Sequence, residues 1–322
     1  MRNITTSKKL IKNTQNFLNI KYYTLFDKYL QKKGVFYGWG RKKSGQEAMK
    51  LAKKHDTSFV LLEDGFIRSI GLGVDGANSF SLVEDDVGIY YDATTPSRLE
   101  NFLNSYDFSS DGSLIQKATE AISLIKKHKI SKYNHASLNL PSYLQTTTKK
   151  VLVVAQTAGD ASLKYGLAEQ FSSQQMIQSA IEENKGCEIY LKVHPDVLAG
   201  KKRSNIDIVL AKKHCKIITE DINPIVLLEA FTKVYTQTSQ MGFEALLLDK
   251  EVVCFGMPFY AGWGLTDDRI SIDRRKRKLS VKEIFAAAYL LYTRYYNPYE
   301  NRACDIVEAI ETIAKRRRAY EA

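Results

Sequence analysis

The sequence predicts an α/β protein built on parallel sheets and divided into two domains, and three observations predict it. Its 322 residues and 44% hydrophobic content suffice for a large core, and the length favours two domains over one. From Val151 onward, short apolar runs alternate with helical patterns, which calls for parallel strands joined by crossovers. Polar residues recur directly after strand-like runs in both halves, where open α/β sheets bind their ligands.

In chain order, a helical N-terminal segment leads to the short strand Gly34–Gly40 with its glycine turn, and Ser44-Gly45-Gln46-Glu47 opens a helix through Lys54. The strand Thr57–Leu62 stops at Glu63-Asp64-Gly65. A strand pair follows over Ser79–Tyr91 with Asp85-Asp86 as its hairpin turn, Ser97 caps a helix near Arg98–Asn104, and Asp111–Lys129 is amphipathic. His135–Lys150 reads as a linker, which sets domains at 1–145 and 146–280, with 281–322 as a C-terminal helical segment packing across both. The second half reads as strand Val151–Ala155, helix Ala161–Asn184, strand Glu188–Val193, strand Lys216–Thr219, helix Pro224–Ala230, strand Lys233–Thr236, helix Gly242–Asp249 and strand Glu251–Phe255. The tail reads as helix apart from Asn297-Pro298, with Tyr289, Tyr292, Tyr295, Tyr296 and Tyr299 as an interdomain packing face.

Composition excludes several function classes. No apolar stretch approaches a membrane span and the N-terminus lacks a secretory signal, so the expected location is the cytoplasm. Cys187, Cys215, Cys254 and Cys304 show no CxxC pairing and read as reduced core thiols. The +11 net charge draws anions: nucleic acid, anionic lipid or an acidic nucleotide-activated substrate. Its clusters, KKLIK near the start, Lys201-Lys202-Arg203, Arg274–Lys278 and Arg316–Arg318, read as solvated loops and helix ends, with an anionic membrane surface as the next reading. No nucleic-acid-binding signature accompanies them. GxxxxGK[ST], HExxH, GxSxG and a DxD-type metal cluster are all absent, so no P-loop chemistry, metal or other cofactor is expected.

The chemistry-bearing candidates sit at strand ends. In VLVVAQTAGDASLKYG, Asp160 falls where a buried strand gives way to a helix; an aspartate there caps the helix whatever the protein does, so spacing leaves capping and chemistry both open. Pro195 forces His194 to be extended, aiming its imidazole off the strand end toward a phosphate beside Lys192, or else capping a buried turn. Ser239 and Gln240 open a helix whose free N–H groups suit a phosphate, and Glu244 lies at a position for ribose hydroxyls or on a solvent-exposed face.

The segments FYGWGRKKSGQEA, LLEDGFIRSIGLG, GIYYDATTPSRLE, QTAGDASLKYG, KVHPD, QTSQMGFEALLLDKEVVCFGMPFYAGWGLTDD and RYYNPYENR resemble, in order, the conserved blocks of bacterial capsule-polysaccharide export proteins of the KpsC type, which are β-Kdo glycosyltransferases. The likeness spans roughly Gly34 to Arg302. It implies a GT-B-like fold of two facing Rossmann-like domains, with CMP-Kdo bound mainly by the second. Glu63-Asp64-Gly65 and His194-Pro195 also resemble motifs of bacterial CMP-sialic-acid transferases. By this resemblance Asp160 is the nucleophile of a retaining double displacement, and Glu63 is the general acid/base with Asp64 as its rival. His194 and Lys192 hold the phosphate, while Gln156, Thr157 and Gly159 line the Asp160 turn. Ser239 and Gln240 add phosphate contacts, and Glu244 holds the ribose. Arg68 pairs with the Kdo carboxylate or makes an interdomain salt bridge. The implied partners are CMP-Kdo, a glycan or lipid-linked saccharide acceptor and the cytoplasmic face of the inner membrane. Proteins of this type commonly carry two transferase modules in tandem; this chain has one. An inverting CMP-ulosonic-acid transferase and a non-catalytic glycan- or lipid-binding export component are the alternatives.

Overall fold

The computed structural model describes residues 2–72, 76–193, 197 and 211–321. The chain divides into two compact units. One comprises Met1–Tyr90, Thr95–Ala121 and Phe285–Ala322; the other comprises Tyr91–Thr94 and Ile122–Ile284.

The first unit begins with β1 (Asn3–Thr5), α1 (Lys8–Thr14), β2 (Lys21–Tyr22) and α2 (Leu25–Tyr29). These are followed by β3 (Val35–Trp39), α3 (Lys43–His55), β4 (Phe59–Asp64), β5 (Ser81–Asp85), α4 (Arg98–Ser105) and α5 (Gly112–His128), whose residues from Ile122 on fall in the second unit. β1 to β4 run parallel, in the order β2-β1-β3-β4, and β5 pairs antiparallel with β4. β3 and α3 approach closely at Gly45, where a Cβ would lie 1.8 Å from the Gly40 carbonyl oxygen. Only glycine permits that contact, and it draws the end of β3 against the helix.

The second unit contains β6 (Lys150–Val154), α6 (Ala161–Tyr165), α7 (Ser173–Glu183), β7 (Glu188–Lys192), β8 (Lys216–Ile218), α8 (Pro224–Glu229), β9 (Lys233–Thr236), α9 (Gln240–Leu247), β10 (Glu251–Cys254), β11 (Asp267–Asp268) and α10 (Val281–Phe285), whose last residue falls in the first unit. Its six strands are all parallel, in the order β8-β7-β6-β9-β10-β11. This is the doubly wound order, which reverses between β6 and β9. β6 is buried along its whole length, as a strand covered on both faces must be. Its side chains join Met176, Leu191, Tyr235 and Val253 in the core, where each filled aliphatic site contributes about 1.5–3 kcal/mol.

Four sequence readings change. The helix read over Ala161–Asn184 is two helices, α6 and α7, parted by a 3-10 turn at Ala168–Gln170, with Ser172 capping the second. The tail is not helical throughout: after a π-helical turn at Ala286–Leu291, β12 (Thr293–Asn297) pairs antiparallel with β5 and with β13 (Arg302–Cys304) before α11 (Ile306–Glu321). Thr293, Tyr295 and Asn297 are buried and their neighbours more exposed, an alternation that β-branched and aromatic residues stabilise in a strand. No hairpin spans Ser79–Tyr91. The buried Asp85 carboxylate accepts the N–H groups of Val87, Gly88 and Arg98 and the Tyr292 hydroxyl, turning the chain toward α4. Within the Arg274–Lys278 cluster, Arg275 is buried: its guanidinium donates to the carbonyls of Pro258 and Ala261 and lies over Trp263. Those carbonyls and the ring replace the water that the charge loses.

Candidate active site

The carboxyl ends of β6 and β9 flank the switch point of the second sheet, the place where doubly wound folds bind ligands. The chain leaves β6 through Gln156 and Thr157, and Gly159 has φ = +80°, a left-handed conformation that needs glycine although a Cβ would meet open space. That turn delivers Asp160 to the N-cap of α6, exposed, with Oδ1 accepting the Ser162 N–H at 2.9 Å and the Ser162 hydroxyl at 3.0 Å. Oδ2 has no hydrogen-bond partner among the described residues. Capping and availability for chemistry therefore coexist on the two oxygens of one carboxylate.

Gln156 bridges the switch point. Its Oε1 accepts the Thr238 N–H at 2.8 Å and its Nε2 donates to the Thr238 hydroxyl at 3.0 Å. The Ser162 hydroxyl lies 3.0 Å from that of Thr238, so a polar chain runs from the β9 turn to Asp160. Thr157, half-buried, accepts the Asp160 N–H at its carbonyl.

Ser239 caps α9 by accepting the Met241 N–H, while its carbonyl takes the Tyr260 hydroxyl. Gln240 begins the helix, half-buried, 3.5 Å from Glu244. Glu244 is 3% exposed, not on a solvent face, and accepts the Ser131 hydroxyl at 2.6 Å. Burial outweighs those hydrogen bonds and pushes its carboxyl up to about 7. Lys192, at the end of β7, is also buried; its ammonium donates to the Glu220 carbonyl at 2.5 Å, and loss of water pulls its pKa below the usual lysine value. His194 lies outside the described residues.

In the first unit Glu63 and Asp64 close β4. The Trp39 indole N–H, from the end of neighbouring β3, donates to Glu63 Oε1 at 2.8 Å. Asp64 takes a different partner: its Oδ1 lies 3.0 Å from Arg68 Nε, and Arg68 also donates to the Ala77 carbonyl. Arg68 thus forms its salt bridge within its own unit. Among the described residues, no group of three or more His, Cys, Asp or Glu side chains is arranged to hold a metal ion.

Sequence reasoning missed Trp39, Ser162 and Thr238. A signal for Thr238 was present in the repeated Gln-Thr dipeptide, Gln156-Thr157 and Gln237-Thr238, one copy after each strand flanking the switch point.

Comparison with known proteins adds an independent line. The family model described as "Capsule polysaccharide biosynthesis protein" matches residues 35–151 and 142–295. A capsule polysaccharide modification protein, LipA, of Neisseria meningitidis serogroup A is 42% identical over 286 residues, covering 86% of this chain. The lipopolysaccharide-processing protein LpsZ of Rhizobium meliloti is 36% identical over 295 residues, covering 91% of this chain and 66% of that protein. The chain spans 40% of the length of the meningococcal relative. Among solved structures, the β-Kdo 2,4-transferase of Thermosulfurimonas dismutans KpsC superposes with a TM-score of 0.88 at 42% identity, covering 98% of both chains. The β-Kdo 2,7-transferase of the same KpsC gives 0.75 at 31% identity, again over 98% of both. The fold is the α/β, GT-B-like class read from the sequence. With most of its length matched by the family model and by relatives above 30% identity, the chain belongs to the capsule polysaccharide biosynthesis protein family.

Proposed function

We propose that this chain is a retaining β-Kdo glycosyltransferase that moves Kdo from CMP-β-Kdo to a glycan or lipid-linked saccharide acceptor in the synthesis of capsule or a related surface polysaccharide. The observation that carries the reading is Asp160 at the switch point, one carboxylate oxygen pinned by Ser162 and the other open. In the first displacement the open oxygen attacks the anomeric carbon as the bond to the CMP phosphate breaks, leaving Kdo esterified to Asp160. In the second, an acceptor hydroxyl gives its proton to Glu63 while its oxygen displaces Asp160 from the same carbon, so two inversions give retention.

Glu63 is taken as the acid/base, with Asp64 as its rival: Asp64 is engaged by Arg68, and the Trp39 indole N–H holds Glu63 Oε1 in place. Arg68, already paired with Asp64, is assigned to the Kdo carboxylate, and Glu244, already bonded by Ser131, to the ribose. The Ser239 end of α9, Gln240, Lys192 and His194 are assigned to the phosphate. The proposed setting is the cytoplasm, at the inner face of the membrane. Among the described residues no helix is long and apolar enough to cross a membrane.

The test is incubation with CMP-Kdo generated in place and a panel of glycan and glycolipid acceptors, followed by mass and NMR analysis of the product. Transfer with β-configuration retained is expected. An inverted product ends the Asp160 reading, and absence of CMP release with every acceptor ends the transferase reading.

A further inference from the structure

A helix in a folded protein normally buries one face, and α2 buries none of its residues. Five of the eight large hydrophobic side chains exposed among the described residues fall within residues 22–30. They are Tyr22 (41%), Leu25 (86%), Phe26 (64%), Tyr29 (82%) and Leu30 (48%). Leu25 with Tyr29, and Phe26 with Leu30, are four residues apart and so share one side of the turn. The turn is held in shape: Thr24 and Asp27 form a reciprocal capping box, Lys32 bonds Asp27, and the buried Tyr23 beneath packs on Phe36 and His55. This is a built apolar projection, since a frayed end would have neither cap nor anchor.

Its surroundings are cationic. Residues 1–33 carry eight Lys and Arg against Asp27 alone. Lys8, Lys9, Lys12, Lys21, Lys28 and Lys33 are exposed, and Lys8 and Lys32 lie over the rings of Tyr22 and Phe26. Large apolar side chains ringed by lysines match an interface whose outer layer is anionic and whose next layer is hydrocarbon.

We propose that α2 and the lysines of α1 and β2 form a docking surface for an anionic phospholipid bilayer, with Leu25, Phe26 and Tyr29 inserting among the acyl chains and the lysines meeting the headgroups. The docking does not rest on the transferase reading.

The experiment is flotation of the full chain with vesicles of phosphatidylglycerol and phosphatidylethanolamine, or of phosphatidylcholine alone. Binding to the anionic vesicles only is expected. The variant Leu25→Glu/Phe26→Ser/Tyr29→Ser is expected to lose at least tenfold in partitioning at unchanged Tm, with transfer to a water-soluble acceptor unaffected. Replacing Lys8, Lys9 and Lys12 by Gln is expected to cost about fivefold per residue at low salt, and high salt should reproduce that loss in the wild type. Failure to bind anionic vesicles, equal binding of the apolar variant, or equal binding to phosphatidylcholine would overturn the proposal. So would a concentration-dependent dimer, abolished by the apolar variant, in a chain that ignores vesicles, since the occupant would then be a second copy.

Discussion

The Gln156 carboxamide clamps Thr238, accepting its backbone N–H at 2.8 Å and donating to its hydroxyl at 3.0 Å. The clamp joins two turns 82 residues apart in sequence but adjacent through the β6–β9 pairing, at the point where the strand order reverses. Replacing Gln156 by Leu keeps the approximate volume and strands the Thr238 N–H. The expected cost is about 1–3 kcal/mol of stability, read by denaturant unfolding. A larger relative loss should appear in kcat, because the Ser162–Asp160 end of the chain loses its support.

Asp160 is both cap and proposed nucleophile, and two substitutions separate the roles. Asparagine caps a helix about as well as aspartate, so Asp160→Asn should leave Tm nearly unchanged while transfer falls by several orders of magnitude. Asp160→Ala should show the same loss of transfer and lose about 1 kcal/mol of stability as well. Near wild-type turnover by the asparagine variant would leave capping as the whole role of this residue.

How legible this site was in the sequence depended on how local its causes are. The second sheet could be read because each long strand is a short apolar run buried on both faces and bounded by turn residues. Asp160 was legible for the same reason: it lies at a strand end and its partner Ser162 is two residues away. β1 and β2, three and two residues long, carry too little pattern to register. The partners of Glu244 and Glu63 could not be read, because Ser131 and Trp39 meet them only after folding. Helical spacing places Glu244 near Gln240, yet it does not reveal that a hydroxyl 113 residues away closes over the carboxylate.

That closure predicts a pH dependence of stability. The Glu244 carboxyl is raised to about 7 in the folded protein from its ordinary value of 4.5, so between those values the folded state holds a proton that the unfolded state has lost. The stabilisation is complete below pH 4.5, declines as pH rises, and is gone above about 7, with a ceiling on the order of 3 kcal/mol. Denaturant unfolding of wild type and Glu244→Gln at pH 5 and pH 8 tests this. The wild type should lose more stability than the variant between the two, and a constant difference would show that Glu244 does not titrate in this window.

Trp39→Phe isolates the orientation of Glu63. The substitution keeps an aromatic ring at the end of β3 but removes the N–H that meets Glu63 Oε1 at 2.8 Å. With Trp39 half-buried, the stability cost should stay within about 1.5 kcal/mol, the usual net contribution of one hydrogen bond. If Glu63 is the acid/base, a misdirected carboxylate slows the proton transfer of the second displacement without changing donor binding. The expected result is then a kcat reduced about tenfold or more with kcat/KM for CMP-Kdo unchanged, so that KM for the donor falls in proportion. Unchanged kcat together with a raised KM would instead place Glu63 among the groups that bind the donor, and the proton acceptor would have to be sought at Asp64, whose engagement with Arg68 would then have to open during turnover.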